Sequence, residues 1–130
     1  MKNVKSIYFI VAISLVVGLL HFILGSNYMG PLKDFLNGYL IDILLPLNLY
    51  LLLQIALRKL ITIAQSRISG ALFTFIIGLT AEMLQLNDIP VFGSTYDPLD
   101  IVMHGIGILL GILLDFTIID NFEKRSFNDD

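Results

Sequence analysis

Four apolar runs, each long enough to cross roughly 30 Å of hydrocarbon as a helix, restrict what this chain can become: about residues 7–24, 39–57, 68–86 and 99–119. Lipid offers a backbone no hydrogen-bond partners, so runs of this length predict helices. The expected fold is an all-α membrane protein, a four-transmembrane-helix bundle forming a single domain over residues 1–130. Only 15% of the residues are charged, where a soluble domain would carry about 25%. A net charge of -3 argues against a nucleic-acid partner, whose footprint is basic. There is no cysteine, which removes thiolate nucleophiles and sulfur-based zinc sites.

Lys2 and Lys5 precede the first run, a start shared with signal peptides. The run is longer than a signal h-region and no A-x-A site follows it, so a membrane span is expected. Residues 26–38 read as a loop with an interfacial turn. Pro46 should kink the second span. Arg58, Lys59 and Arg67 flank the short link to the third. The polar tail, residues 121–130, should fray. Lys2, Lys5, Arg58, Lys59, Arg67, Lys124 and Arg125 fall on one side of this arrangement and only Lys33 on the other. Both termini are therefore expected in the cytoplasm.

Residues three or four apart share a helical face, and each span carries one small or polar stripe. The first has Ser14, Gly18, His21 and Gly25, and the second has Asp42 with Pro46. Thr74, Gly78, Glu82 and Gln85 mark the third, and Asp100, His104, Gly107, Gly111 and Asp115 the fourth. Glycines allow close helix approach, so Gly78, Gly107 and Gly111 are the expected packing positions. Asn48 and Gln54 lie off Asp42's face and receive no role. By helical rise His21, Asp42, Glu82, Asp100 and His104 lie within one or two turns of the outer end, and Asp115 about 20 Å deeper.

Some of these residues have ordinary structural uses. Asp97 before Pro98 is a helix cap, and an acid at Asp100 or Asp42 suits a first turn. His21 near a span end can snorkel. Glu82 is different, because it sits near a helix C-terminus, where the dipole disfavours an anion, and a turn inside hydrocarbon. Asp42, Glu82, Gln85, Asp100 and His104 are the candidate ligand-binding set. The run from His104 to Gly111 fits neither phosphate-loop pattern, and no G-x-S-x-G or H-E-x-x-H occurs, so no cofactor is implied.

The spacing resembles that of the VanZ-like family of small bacterial integral membrane proteins over about residues 39–118. That family carries E-x-x-Q at the end of one helix, a polar loop, then D-x-x-x-N-x-x-G-x-x-x-G. Glu82 and Gln85 match the first part, and Asp100, Gly107 and Gly111 the second. Asp42 and Pro46 are similar to the family's polar residue before a proline-containing run. His104 stands where the family has asparagine, and Ser94 and Thr95 where its loop carries a basic residue. The resemblance implies a multi-pass protein of the bacterial cytoplasmic membrane, with a link to low-level resistance to teicoplanin, a lipoglycopeptide acting on the cell envelope.

The residues suit several functions. Carboxylates and an amide can bind the polar head group of an envelope lipid, a glycolipid or a lipophilic antibiotic. An enzyme on a lipid-linked substrate would use one carboxylate as base and another, or His104, as acid. Asp100, His104, Asp42 and Glu82 could form an oxygen-rich metal shell. A transporter or proton relay would need Asp115 as the far end of a path. A glycine stripe could instead recognise a second copy or another membrane protein.

Overall fold

The computed structural model describes residues 3–24, 28–87, 89 and 97–128. Among these, all regular structure is helical: α1 (Val4–Ile23), α2 (Lys33–Phe35), α3 (Ile41–Leu60), α4 (Ile63–Leu86), α5 (Pro98–Leu114) and α6 (Asp120–Asn128). A π-helical turn at Leu36–Leu40 joins α2 to α3, and a second at Asp115–Ile119 joins α5 to α6. Among the described residues four stretches are long and apolar enough to cross a membrane: Val4–Ile23, Ile41–Leu60, Ile63–Leu86 and Pro98–Lys124.

The helix limits differ from the hydropathy limits because polar residues cap or pair. Asn3 starts α1 by accepting from the Lys5 amide at 2.8 Å. Thr62 and Gln65 form a reciprocal capping box, with Thr62 accepting from the Gln65 amide and the Gln65 side chain accepting from the Thr62 amide. Two orphan donors are thereby satisfied. Helix α4 consequently begins at Ile63, well before position 68, and Arg67 lies inside it and not in the link. Only Ile61 and Thr62 separate α3 from α4. The expected loop over 26–38 contains α2 and the π turn that leads directly into α3.

Helix α3 is the centre, packing against α1, α4 and α5, with α4 also on α5. Parallel α3 and α5 approach most closely. A Cβ on Gly107 would strike the backbone carbonyl of Ile43, and one on Gly111 would lie 2.8 Å from the Tyr50 ring and 3.3 Å from the Leu47 carbonyl oxygen. Glycine is required where backbones meet like this. Ile10, Leu47, Tyr50, Leu51 and Ile119 form the apolar core. Large side chains such as Leu15, Phe22, Ile76 and Leu109 point outward, as expected of faces that meet lipid.

Helix α1 sits on the α3 flank, where Ser14 and Asn48 meet at 2.7 Å. Asn48, left without a role by its helical face, thus ties two spans together. The tail expected to fray is helical through Asn128. The Phe122 ring packs edge-on against Phe9 at 6.0 Å. The Asn3 amide side chain donates to the Phe122 carbonyl, and its backbone N–H donates to Glu123 at 3.2 Å. The start of α1 and helix α6 therefore lie at one end of the bundle, together with the α3–α4 link.

Candidate functional site

The opposite end gathers acids. There the C-terminal turns of α4 meet the N-terminal turns of α3 and α5. Asp97 caps α5 by accepting from the Leu99 amide at 2.9 Å, with Pro98 opening the helix. Its second oxygen accepts from the Tyr39 hydroxyl at 3.4 Å. The negative charge of Asp97 raises the Tyr39 phenol above its ordinary pKa, because ionisation would place two anions side by side; burial, the hydrogen bond and the charge of Asp100 act in the same direction.

His104 lies on α4 at Gly78, where a Cβ would strike the imidazole Cδ2. Its Nδ1 is 2.6 Å from the carbonyl oxygen of Asp100. A carbonyl only accepts, so Nδ1 carries the hydrogen. Glu82, one turn further along α4 than Gly78, is 3% exposed. Its Oε2 has no hydrogen-bond partner, while the backbone N–H of Asp97 faces the same carboxyl.

Asp42 and Asp100 are both half-buried. Asp42 interacts electrostatically with Asp100, His104, Glu82 and Asp97, and Glu82 with Asp100, His104 and Asp97. Asp42, Glu82, Asp100 and His104 therefore lie at one end of the bundle within electrostatic reach of one another, with Asp97 at the edge. Gln85 is half-buried a turn beyond Glu82. His21 is exposed and outside the group. Gly25, Ser94 and Thr95 lie outside the described residues. Among the described residues no three of His, Cys, Asp and Glu are grouped so as to hold a metal ion.

The terminus-bearing end holds a second polar cluster. Arg58 Nη2 bonds Asp115 at 2.5 Å and Asp120 at 3.1 Å; Arg67 bonds the same two carboxylates at 2.9 Å and 2.6 Å. The Arg58 and Asp115 side chains are 2% and 0% exposed. Tyr50 donates to Asp115 at 3.1 Å, and the Arg67 guanidinium lies 3.6 Å above the centre of the Phe116 ring. Gln54, also without an expected role, is buried and donates to the Ser66 carbonyl at 3.1 Å.

Position 120 is five residues past Asp115, which in an α-helix, at about 100° per residue, is a different face. The intervening π turn, with its i→i+5 bonding, turns both carboxylates toward the same arginines. The sequence alone puts Asp115, Arg58 and Arg67 toward one end, but a 3.6-residue period conceals their pairing with Asp120. The usable signal was opposite charge at matching depth.

Compared with known protein families, with curated proteins and with solved structures, the chain matches none. Its two ends differ in chemistry. The arginine end balances its charge internally, two guanidinium groups against two carboxylates. At the acidic end Asp42, Glu82 and Asp100 lie within electrostatic reach of His104, and among the described residues every ion pair lies at the other end.

Proposed function

We propose that this chain is a VanZ-like protein of the bacterial cytoplasmic membrane, whose acidic end faces away from the cytoplasm and binds the polar head group of an envelope lipid, glycolipid or lipophilic antibiotic. Glu82 carries the reading. A buried carboxyl oxygen without a partner costs stability, and an ionisable residue kept inside a membrane helix is a functional candidate by default. Its neighbours Asp42, Asp100 and His104 are the residues a head group entering from the membrane surface would meet. Teicoplanin, an amphiphile acting on that side of the membrane, has the polarity such a site requires.

The orientation follows from charge. Lys5, Arg58, Lys59, Arg67 and Lys124 lie at the terminus-bearing end and Lys33 at the acidic end, so both termini belong in the cytoplasm. The chain has no cysteine, which leaves a clean background for thiol labelling. Ser66 is fully buried and would not report. Gln65 and Asn87 are exposed at opposite ends of α4. An impermeant reagent applied to intact cells is expected to label Asn87→Cys and spare Gln65→Cys, and the reverse pattern would invert the orientation.

Alanine at Glu82 or at His104, with membrane abundance matched, is expected to bring susceptibility to teicoplanin and related envelope antibiotics to that of cells lacking the chain. Unchanged susceptibility in both variants would count against binding at this end. A second reading, an enzyme acting on a lipid-linked substrate, draws on His104 within electrostatic reach of Glu82, residue types suited to proton transfer. Turnover by purified protein, lost in Glu82→Gln, would rank it above binding. A proton relay is less well supported, because Asp115 is held by Arg58, Arg67 and Tyr50.

A further inference from the structure

We infer that the group recognised at the acidic end is a primary ammonium, with Glu82 as its buried counter-ion. This rests on the binding reading above and narrows it to one chemical class. The charge balance is the first ground: Asp42, Glu82, Asp97 and Asp100 act on one another electrostatically, Lys33 at the same end is exposed, and among the described residues the arginine ion pairs lie at the far end of the bundle. The second ground is the burial of Glu82 with an unpartnered oxygen. Glu82 is 3% exposed and its Oε2 has no partner, although the side chain faces Asp100, His104 and the Asp97 amide.

The donor and acceptor inventory then selects the ligand. Ionised carboxylates accept only, and the Nδ1–H of His104 is committed to the Asp100 carbonyl, so it is not free to serve an acceptor ligand. Within α3, Pro46 removes the N–H that would otherwise bond the Asp42 carbonyl. A phosphate brings acceptors and negative charge, and is repelled. A sugar hydroxyl brings donors but leaves the charge uncompensated. A quaternary ammonium compensates charge but has no N–H to donate. A primary ammonium supplies positive charge and three donors on a compact centre, which charge-assisted hydrogen bonds to Glu82 and its neighbours can hold.

The test uses the purified full chain in detergent, with native mass spectrometry against phosphatidylethanolamine, phosphatidylcholine and phosphatidylglycerol of identical acyl chains. The ethanolamine lipid is expected to bind about tenfold more tightly than the other two, the scale of one hydrogen bond to a charged group. Glu82→Gln and, separately, Asp100→Asn should abolish that preference by weakening phosphatidylethanolamine binding to the level of the other two lipids. Displacement by ethanolamine alone would assign the amine to a water-soluble source. Displacement by dodecylamine but not ethanolamine would assign it to the membrane. Equal binding of the three lipids, weakened together by Glu82→Gln, would overturn the ammonium and leave a head-group site. If neither variant, folded by circular dichroism, alters binding of any of the lipids or amines, the ammonium and the site both fail.

Discussion

Asp115→Ala is expected to destabilise the bundle by about 3–5 kcal/mol, the cost of leaving buried charge without its partner. Asp115 is fully buried and bonds Arg58, Arg67 and Tyr50 together, so its removal strands a guanidinium that is itself 2% exposed. Asp120 alone cannot replace it, because it is partly exposed and already bonded to both arginines. Thermal unfolding in detergent, followed by helical circular dichroism, measures the loss. Replacing all four side chains at once by apolar residues of similar volume should cost far less, since a buried ion network is often no more stabilising than a packed apolar one. If the single and fourfold variants lost the same stability, the network's value would lie in the charges themselves and not in their mutual pairing.

Gly107→Ala is expected to cost about 1–3 kcal/mol, the usual range for overpacking. The new methyl would meet the Ile43 carbonyl, which belongs to the α3 backbone and cannot rotate away. Helices α3 and α5 would have to separate where they flank Asp42 and His104, so head-group binding should weaken along with stability. Gly105 is the internal control, since a Cβ there meets nothing within 4 Å. Gly105→Ala should leave stability unchanged or raise it by up to about 1 kcal/mol through helix propensity. Equal effects in the two variants, measured by the same unfolding experiment, would show that the contact with the Ile43 carbonyl does not set the cost.

Much of the architecture can be read from the chain because hydropathy and helical rise are nearly sufficient for membrane spans. The same rise puts Asp42, Glu82, Asp100 and His104 at one depth, and alternating helix direction brings that depth to one end. What the sequence conceals depends on partners far along the chain. Asn48 and Gln54 are off-face on their own helix because they answer to Ser14 and to the Ser66 carbonyl. Arg67 looks like a flanking charge until Asp115 and Asp120 neutralise it inside the bundle. The π turn between those aspartates breaks the only periodicity a single sequence offers. His21 shows the converse: correct depth does not place a side chain in the group, since its face points outward.

The contrast between the two ends is also a contrast in stability. Arginine-bonded Asp115 should be needed for folding, whereas Glu82, buried with an unpartnered oxygen, should be kept for a ligand at some expense to the empty protein. Residues of that kind commonly stabilise a protein when replaced. The most direct measurement is therefore thermal unfolding of Glu82→Met, which removes the carboxyl while keeping side-chain bulk, in ligand-free detergent. A rise in midpoint, equivalent to a gain of about 1 kcal/mol, together with loss of head-group binding, is the expected result. A fall in midpoint with binding retained would make Glu82 a structural residue and contradict the functional site.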